Sequence, residues 1–306
     1  MPKVSVVIIS YNMAREIPRT VTSFLPPYQH GLSAGDIEII VLENGSPHPV
    51  PEDVRATWPD NVRYVSVPDA HPSPAQALNM GVGMASADII CPVIDGARMA
   101  SPGLLKWGLE ALKSRPRAFA STAGFHLGEK LQQIAVEEGY CQEVEDDLLE
   151  SIDWPTNGYR LFEICALAGS SKYGWFGYLN ESNAPIMPKT LFDEIGGYDE
   201  AFDIPGGGLV NLDFMNRMLE LENTEYFSVL GEGTFHQFHH GVTTSRRVIK
   251  PESDGITTWA KYTAQYEKIR GKSYKPSARK PILFGQFPVE ASKIASKGLT
   301  TLLATL

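Results

Sequence analysis

Cysteine is scarce in this chain. Cys91, Cys141 and Cys165 are the only three in 306 residues. They are widely spaced, form no Cys-x-x-Cys pair and close no disulfide framework, so the expectation is buried thiols in a reducing compartment. No apolar run approaches the roughly 20 residues of a membrane span. The opening Met1-Pro2-Lys3-Val4 lacks the basic stretch, apolar stretch and cleavage site of a secretory leader. Together these absences predict a cytoplasmic protein. Excess positive charge is also missing: the net charge of −9 argues against nucleic acid as the main partner. No Gly-x-Gly-x-x-Gly follows the first apolar run, which disfavours a dinucleotide-dependent oxidoreductase. No glycine-rich phosphate loop with a Lys or Arg follows it either, which disfavours nucleotidyl transfer. Internal repeats and low-complexity tracts are absent.

What is present is ordinary globular composition, 43% hydrophobic and 21% charged, enough for one large domain or two small ones. Val4–Ile9 reads as a strand buried on both faces, followed by the polar turn Ser10-Tyr11-Asn12. A helix is expected from Glu16 to Leu25, and strands over Ile37–Leu42, Val62–Val67, Ile89–Ile94 and Ala118–Ala123. Helices are expected over Ala75–Met84 and Leu104–Lys113. This alternation predicts an α/β fold with an open, mainly parallel sheet flanked by helices. After about residue 125 the order loosens into aromatic, glycine-containing segments, as binding loops on a scaffold do. Helices are expected over Lys189–Ile195 and Asn211–Leu221, and a short strand over Phe227–Leu230. From Ser245 the composition shifts to a basic helix, Trp259–Arg270, then a Pro/Lys linker, Lys272–Lys280, then a helical tail from Pro288. The expected division is a domain over 1–245, with halves 1–98 and 99–245, and a helical extension over 246–306.

Three inferred strand ends carry polar groups: Ser10-Tyr11-Asn12, Glu43-Asn44-Gly45 and Asp95. If the strands are parallel, these groups converge on the rim where open α/β sheets bind ligands. Tyr11 can stack on a base, and Glu43 can accept from a base or ribose donor. Asn12 and Asn44 alone are equally good turn and cap residues. In Ile90-Cys91-Pro92-Val93-Ile94-Asp95-Gly96-Ala97-Arg98 an apolar run delivers one carboxylate and turns sharply at Gly96.

In order along the chain, four segments resemble family 2 glycosyltransferases. They are Val4–Asn12; Ile39-Ile40-Val41-Leu42-Glu43-Asn44-Gly45-Ser46; Ala77-Leu78-Asn79-Met80-Gly81 with Ala85–Ile90; and Gly196-Gly197-Tyr198-Asp199-Glu200-Ala201-Phe202. The ordered set is more specific than any one segment. The resemblance implies a GT-A fold, a nucleotide-diphosphate sugar as donor and a hydroxyl acceptor: a carbohydrate, a lipid-linked molecule or a small molecule. Taken with the strand ends, and with Arg98 three residues past Asp95, it puts Ser10, Tyr11, Asn12, Glu43, Asn44, Asn79, Asp95 and Arg98 at the donor site, and implies inversion where the family mechanism is kept.

The departures matter as much. Asp95-Gly96-Ala97 replaces Asp-x-Asp, so one metal ligand is missing. Asn211 stands at the usual base position, while Asp213 and Arg217 are kept. Arg98 is either a cation for the departing diphosphate or a solvated residue at a helix start. Within Phe235-His236-Gln237-Phe238-His239-His240, His236 is the first choice to join Asp95 on a divalent cation, manganese or magnesium; a surface histidine cluster is the other possibility. Asp213 is ranked first as general base, with Glu181 and Asp203 behind it. Trp175-Phe176-Gly177-Tyr178 either stacks on a sugar or belongs to the core. Lys261, Lys268, Arg270, Lys272, Lys275, Arg279 and Lys280 either seat the protein on an anionic membrane or are solvated. The leading function is sugar transfer; the alternative is an inactive GT-A domain that binds a sugar, nucleotide or partner.

Overall fold

The computed structural model describes residues 1–113, 115–239, 241, 250–251 and 253–305. The strands are β1 (Val4–Ser10), β2 (Ile37–Glu43), β3 (Val62–Ser66), β4 (Ile89–Val93), β5 (Arg98–Ala100), β6 (Ala118–Leu127), β7 (Cys165–Leu167), β8 (Met187–Pro188), β9 (Glu225–His236) and β10 (Ile282–Gly285). The helices are α1 (Glu16–Ser23), α2 (Glu52–Arg55), α3 (Ala75–Met84), α4 (Leu104–Leu112), α5 (Gln132–Ala135), α6 (Gln142–Glu150), α7 (Lys189–Glu194), α8 (Val210–Glu220), α9 (Thr258–Arg270) and α10 (Ser292–Leu303). Among the described residues these strands form two five-stranded sheets.

The first sheet has the order β3-β2-β1-β4-β8, parallel except for β8. Its β-branched strands are buried on both faces, and the two-residue side-chain period separates them cleanly. Val4, Val6 and Ile8 join Ile37, Ile39 and Val41 against Ile17, Val21 and Phe24 of the α1 region. Val7 and Ile9 join Ile40 and Leu42 against Ala75, Ala77, Leu78 and Val82 of α3. Helices therefore cover both faces, and β1, β2 and β4 end on the same rim.

The second sheet runs β10-β9-β6-β7, with β5 also paired to β9. A second sheet was not expected, and β9 explains it. The expected short strand Phe227–Leu230 continues to His236 through an irregularity at Gly231-Glu232, where the register with β6 shifts. Gly231 takes φ of 77°, and a Cβ there would sit 2.1 Å from the Gln286 carbonyl oxygen, so glycine is what lets the strand bulge and continue. Thr122 Oγ1 lies within hydrogen-bond distance of the Val229 and Glu232 carbonyls freed by the bulge.

The chain beyond residue 250 is also more tightly integrated than an extension with a linker. β10 pairs with β9 in parallel. Asn216 binds the Lys275 carbonyl and the Ser277 amide, and Arg279 donates to the carbonyls of Leu219, Leu221 and Thr224. The expected boundary at 245/246 lies outside the described residues.

Candidate active site

The rim of the first sheet opens into a cleft of about 730 Å³. Tyr11 and Asn12 reach it from the end of β1, Asn44 from the end of β2 and Asp95 from the end of β4. Asn12 is left-handed at φ 53°, and its backbone N–H donates to Ser46 Oγ at 2.7 Å. Tyr11 is 55% exposed, its ring open to a partner. Asn44 Nδ2 donates to the His71 carbonyl, leaving its buried Oδ1 without a partner. The turn that delivers Asp95 is tight: a Cβ on Gly96 would lie 1.9 Å from the Ile9 carbonyl oxygen, so only glycine lets the chain pass that close to β1.

The far wall is built by strand register. Arg98 of β5 lies opposite His236 of β9, and His126 of β6 lies opposite His236 on the other side. Three cross-strand neighbours thus line up beside Asp95. Arg98 is not a solvated helix-start residue. It lies in β5 at 7% exposure, 3.4 Å from Asp95 Oδ2 and 3.7 Å from Glu181 Oε2. Its Nη1 is buried without a hydrogen-bond partner, and its Nε, though it faces Asp95, makes no hydrogen bond. Unpaired guanidinium N–H groups in a cleft are a standing invitation to an anion.

His236 Nε2 lies 3.0 Å from Asp95 Oδ2, and His239 Nε2 lies 3.6 Å from Asp95 Oδ1. The three ligand atoms all fall within 4.8 Å of one another. Gln132 fixes the ring of His236. Its amide NH2 faces Glu145 and the His236 carbonyl, so its Oε1 takes the hydrogen of His236 Nδ1 at 2.6 Å. Nε2 is then the atom turned to Asp95, and in a neutral ring it carries a lone pair. One carboxylate and two imidazoles are a sound donor set for a divalent cation. Burial raises the Asp95 carboxyl, but His236, His239 and Arg98 together hold it well below its ordinary range. His126 is held well below its ordinary value by burial, with His236 and Arg98 adding to it. Its Nδ1 accepts from the Gln132 backbone, which leaves Nε2 as the nitrogen that carries the hydrogen of the neutral ring.

Glu181 lines the same cleft. The bridge between Val93 and Asn183 ties its segment to the end of β4, and Asn183 Nδ2 donates to Glu181 Oε2 at 2.7 Å. Asn211 Oδ1 accepts from the backbone and hydroxyl of Ser182. The residue at the usual base position therefore braces the loop that carries Glu181.

Several expected site residues lie elsewhere. Glu43 is buried beneath the rim, accepting from Ser10, Ser46 and Tyr64. Ser10 is likewise buried and bonded to it. Asn79 binds the backbone of Tyr198 and the side chain of Glu200. Asp213 is 1% exposed, gripped by Arg217 and Arg270 at 2.6–2.7 Å. Asp203 accepts from Gln265 at 2.7 Å. Trp175 is fully buried among Phe125, Phe162 and Phe287, its Nε1–H donating to the Glu232 carbonyl; it is core, while Phe176 and Tyr178 are half-buried. His239 was not singled out as a ligand, and His126 was not singled out at all. The first sits in a motif already rich in histidine, but the second has no neighbour in sequence that marks it. His240 lies outside the described residues.

Fold and site together define an α/β protein of GT-A type, with a polar cleft at the strand ends. Residues 5–122 match the family model described as Glycosyl transferase family 2. Comparison with curated proteins gives no match. Among solved structures the chain is similar to S. aureus TarS 1-349 in complex with UDP, with TM-score 0.51 and 13% identity over 77% of this chain and 60% of that one. It is similar to the same protein in complex with UDP-GlcNAc, with TM-score 0.51 and 14% identity over 87% and 66%. A longer TarS structure gives TM-score 0.50 and 14% identity over 77% and 37%. The chain thus spans under two thirds of these proteins, and the likeness establishes the fold.

Proposed function

We propose that the protein is a glycosyltransferase that moves a sugar from a nucleotide-diphosphate sugar to a hydroxyl acceptor with inversion. The observation that carries this reading is the convergence of Asp95, two imidazoles, a half-unpaired Arg98 and Glu181 in one cleft at the strand ends. Tyr11 stacks on the base, and Asn44 Oδ1 accepts from a base N–H; Asn12 shapes the turn between them. Ser10, Glu43 and Asn79 act one layer below, holding the rim and its neighbours. Arg98 and the His126 Nε2–H face the diphosphate and stabilise the charge it gains on leaving. Asp95, His236 and His239 would hold a divalent cation, manganese or magnesium, which adds positive charge at the same oxygens when bound.

Glu181 is the base this reading favours. It takes the proton of the acceptor hydroxyl as that oxygen bonds to the anomeric carbon. The bond from that carbon to the diphosphate breaks on the opposite side, its electron pair leaving with phosphate oxygen. Asp213, ranked first on sequence, is a weaker candidate because two guanidinium groups occupy its carboxylate.

We place the protein in the cytoplasm, in keeping with three free thiols. Among the described residues no helix is long and apolar enough to cross a membrane. Contact with a membrane surface has little support. Lys261, Arg270 and Lys272 pair with Asp254, Asp199, Asp213 and Glu220, and Arg279 is spent on carbonyls. Calorimetric titration with UDP tests the donor site. Arg98→Ala should weaken binding about tenfold or more, the loss expected of a charge-assisted contact. Equal affinity in the folded variant would remove Arg98 from the site.

A further inference from the structure

Two carboxylates that the sequence offered as bases have a common task. Asp213 binds Arg270, which also pairs with Asp199 at 2.7 Å, and Asp203 binds Gln265. Arg270 and Gln265 both belong to α9. A third contact is steric: a Cβ on Gly208 would lie 3.1 Å from Gln265 and 3.6 Å from the Tyr262 ring. The helix is therefore fastened along one side to the segment that leads into α8.

The purpose of that fastening lies at its other end. Trp259, in the first turn of α9, lines the cleft and is 40% exposed. Tyr262, one turn on, lines it too but is buried. The Trp259 ring meets Tyr274 edge-on at 6.3 Å. Glu181 lines the same cleft as Trp259. A large, half-open indole is thus held in the cleft that carries the favoured base and the open ring of Tyr11. An aromatic face carries negative charge density, and it pairs with the C–H face of a pyranose while the ring hydroxyls stay free for polar groups.

We propose that the acceptor is a saccharide whose terminal pyranose ring stacks on Trp259 and presents its hydroxyl to Glu181. The chain beyond residue 250 then completes the acceptor site, and the Asp213–Arg270 pair is a positioning device for it. This rests on the glycosyltransferase reading. It narrows the acceptor to a carbohydrate with an unbroken C–H face, against lipid-linked or small polar alcohols.

Saturation-transfer NMR tests this with the full chain, UDP and a panel of methyl glycosides and disaccharides, with glycerol as the non-sugar alcohol. The wild type should transfer saturation to the C–H face of a pyranoside and not to glycerol. Trp259→Ala should weaken that sugar roughly tenfold, and Trp259→Phe by under about threefold, as fits loss or retention of an aromatic face. Binding of the sugar to Trp259→Ala with wild-type affinity would overturn the proposal. So would UDP binding without any saccharide binding, which leaves the donor site standing. Failure of both UDP and saccharides would remove the glycosyltransferase reading as well.

Discussion

At the residue scale, the three candidate bases differ in what already holds them. Glu181 faces the cleft, held by one amide and by a looser pairing with Arg98 at 3.7 Å, whereas Asp213 is enclosed by two guanidinium groups at hydrogen-bond distance and Asp203 is tied to Gln265. Glu181→Gln should therefore lower turnover by about 100-fold or more while UDP still binds, as loss of general-base help does. Asp213→Asn should instead cost roughly 2–4 kcal/mol of stability, since it strips one partner from a buried ion-pair cluster. Denaturant unfolding and steady-state rates on both variants separate the two roles; a stable, inactive Asp213→Asn would reverse them.

Glu232 gives a second residue-scale test, away from the cleft. It is buried beside Ser101, Tyr159 and the Gly103 amide, and burial pushes its carboxyl from 4.5 up to about 7 despite those donors. Between those two pH values the folded protein keeps a proton that the unfolded chain has released. Stability should therefore fall as pH rises through that window, by on the order of 3 kcal/mol in total. Melting curves from pH 4.5 to 7.5 should show this slope in the wild type and a flatter one in Glu232→Gln. Parallel curves for the two proteins would show that Glu232 does not titrate there.

At the scale of elements, legibility followed the period of the pattern. β1, β2 and β4 are unbroken apolar runs with turn residues after them, so their ends, and Tyr11, Asn12, Asn44 and Asp95 with them, could be placed from sequence. β9 could not be traced, because Gly231-Glu232 reads as a stop, and the bulge that Gly231 permits, with Thr122 meeting the Val229 and Glu232 carbonyls, shows only in three dimensions. β10 was missed for a related reason: Ile282–Gly285 is four residues in a Pro/Lys-rich stretch, and its only signal is its partner. Arg98 was found with two readings left open, and its strand was not seen, since a three-residue strand has no period of its own. Glu43 and Asn79 matched family segments, yet the match says nothing about which neighbours already use their polar atoms. The α9 helix carries an element-scale prediction. Arg270→Ala releases its grip on Asp213 and Asp199, so amide exchange across Thr258–Arg270 should speed up well before that of β1 or β2. Unchanged protection in α9 would show that Gln265 and the apolar contacts suffice.

At the scale of the whole molecule, the two sheets do different work. The first brings three strand ends to one rim by parallel register. The second lines up Arg98, His236 and His126 across from them by β5–β9–β6 register, and α9 closes the remaining side with Trp259. Each set is unremarkable alone; they face one another across the cleft because the Asp95-Gly96 turn carries the chain from one sheet directly into the other. The most direct test is mass spectrometry of saccharide acceptors incubated with the protein, manganese and a panel of nucleotide-diphosphate sugars. The account predicts an acceptor heavier by one sugar unit, one nucleotide diphosphate released per transfer, and loss of both in Glu181→Gln. Nucleotide binding with neither transfer nor hydrolysis across the panel would contradict it and leave a GT-A domain that only binds.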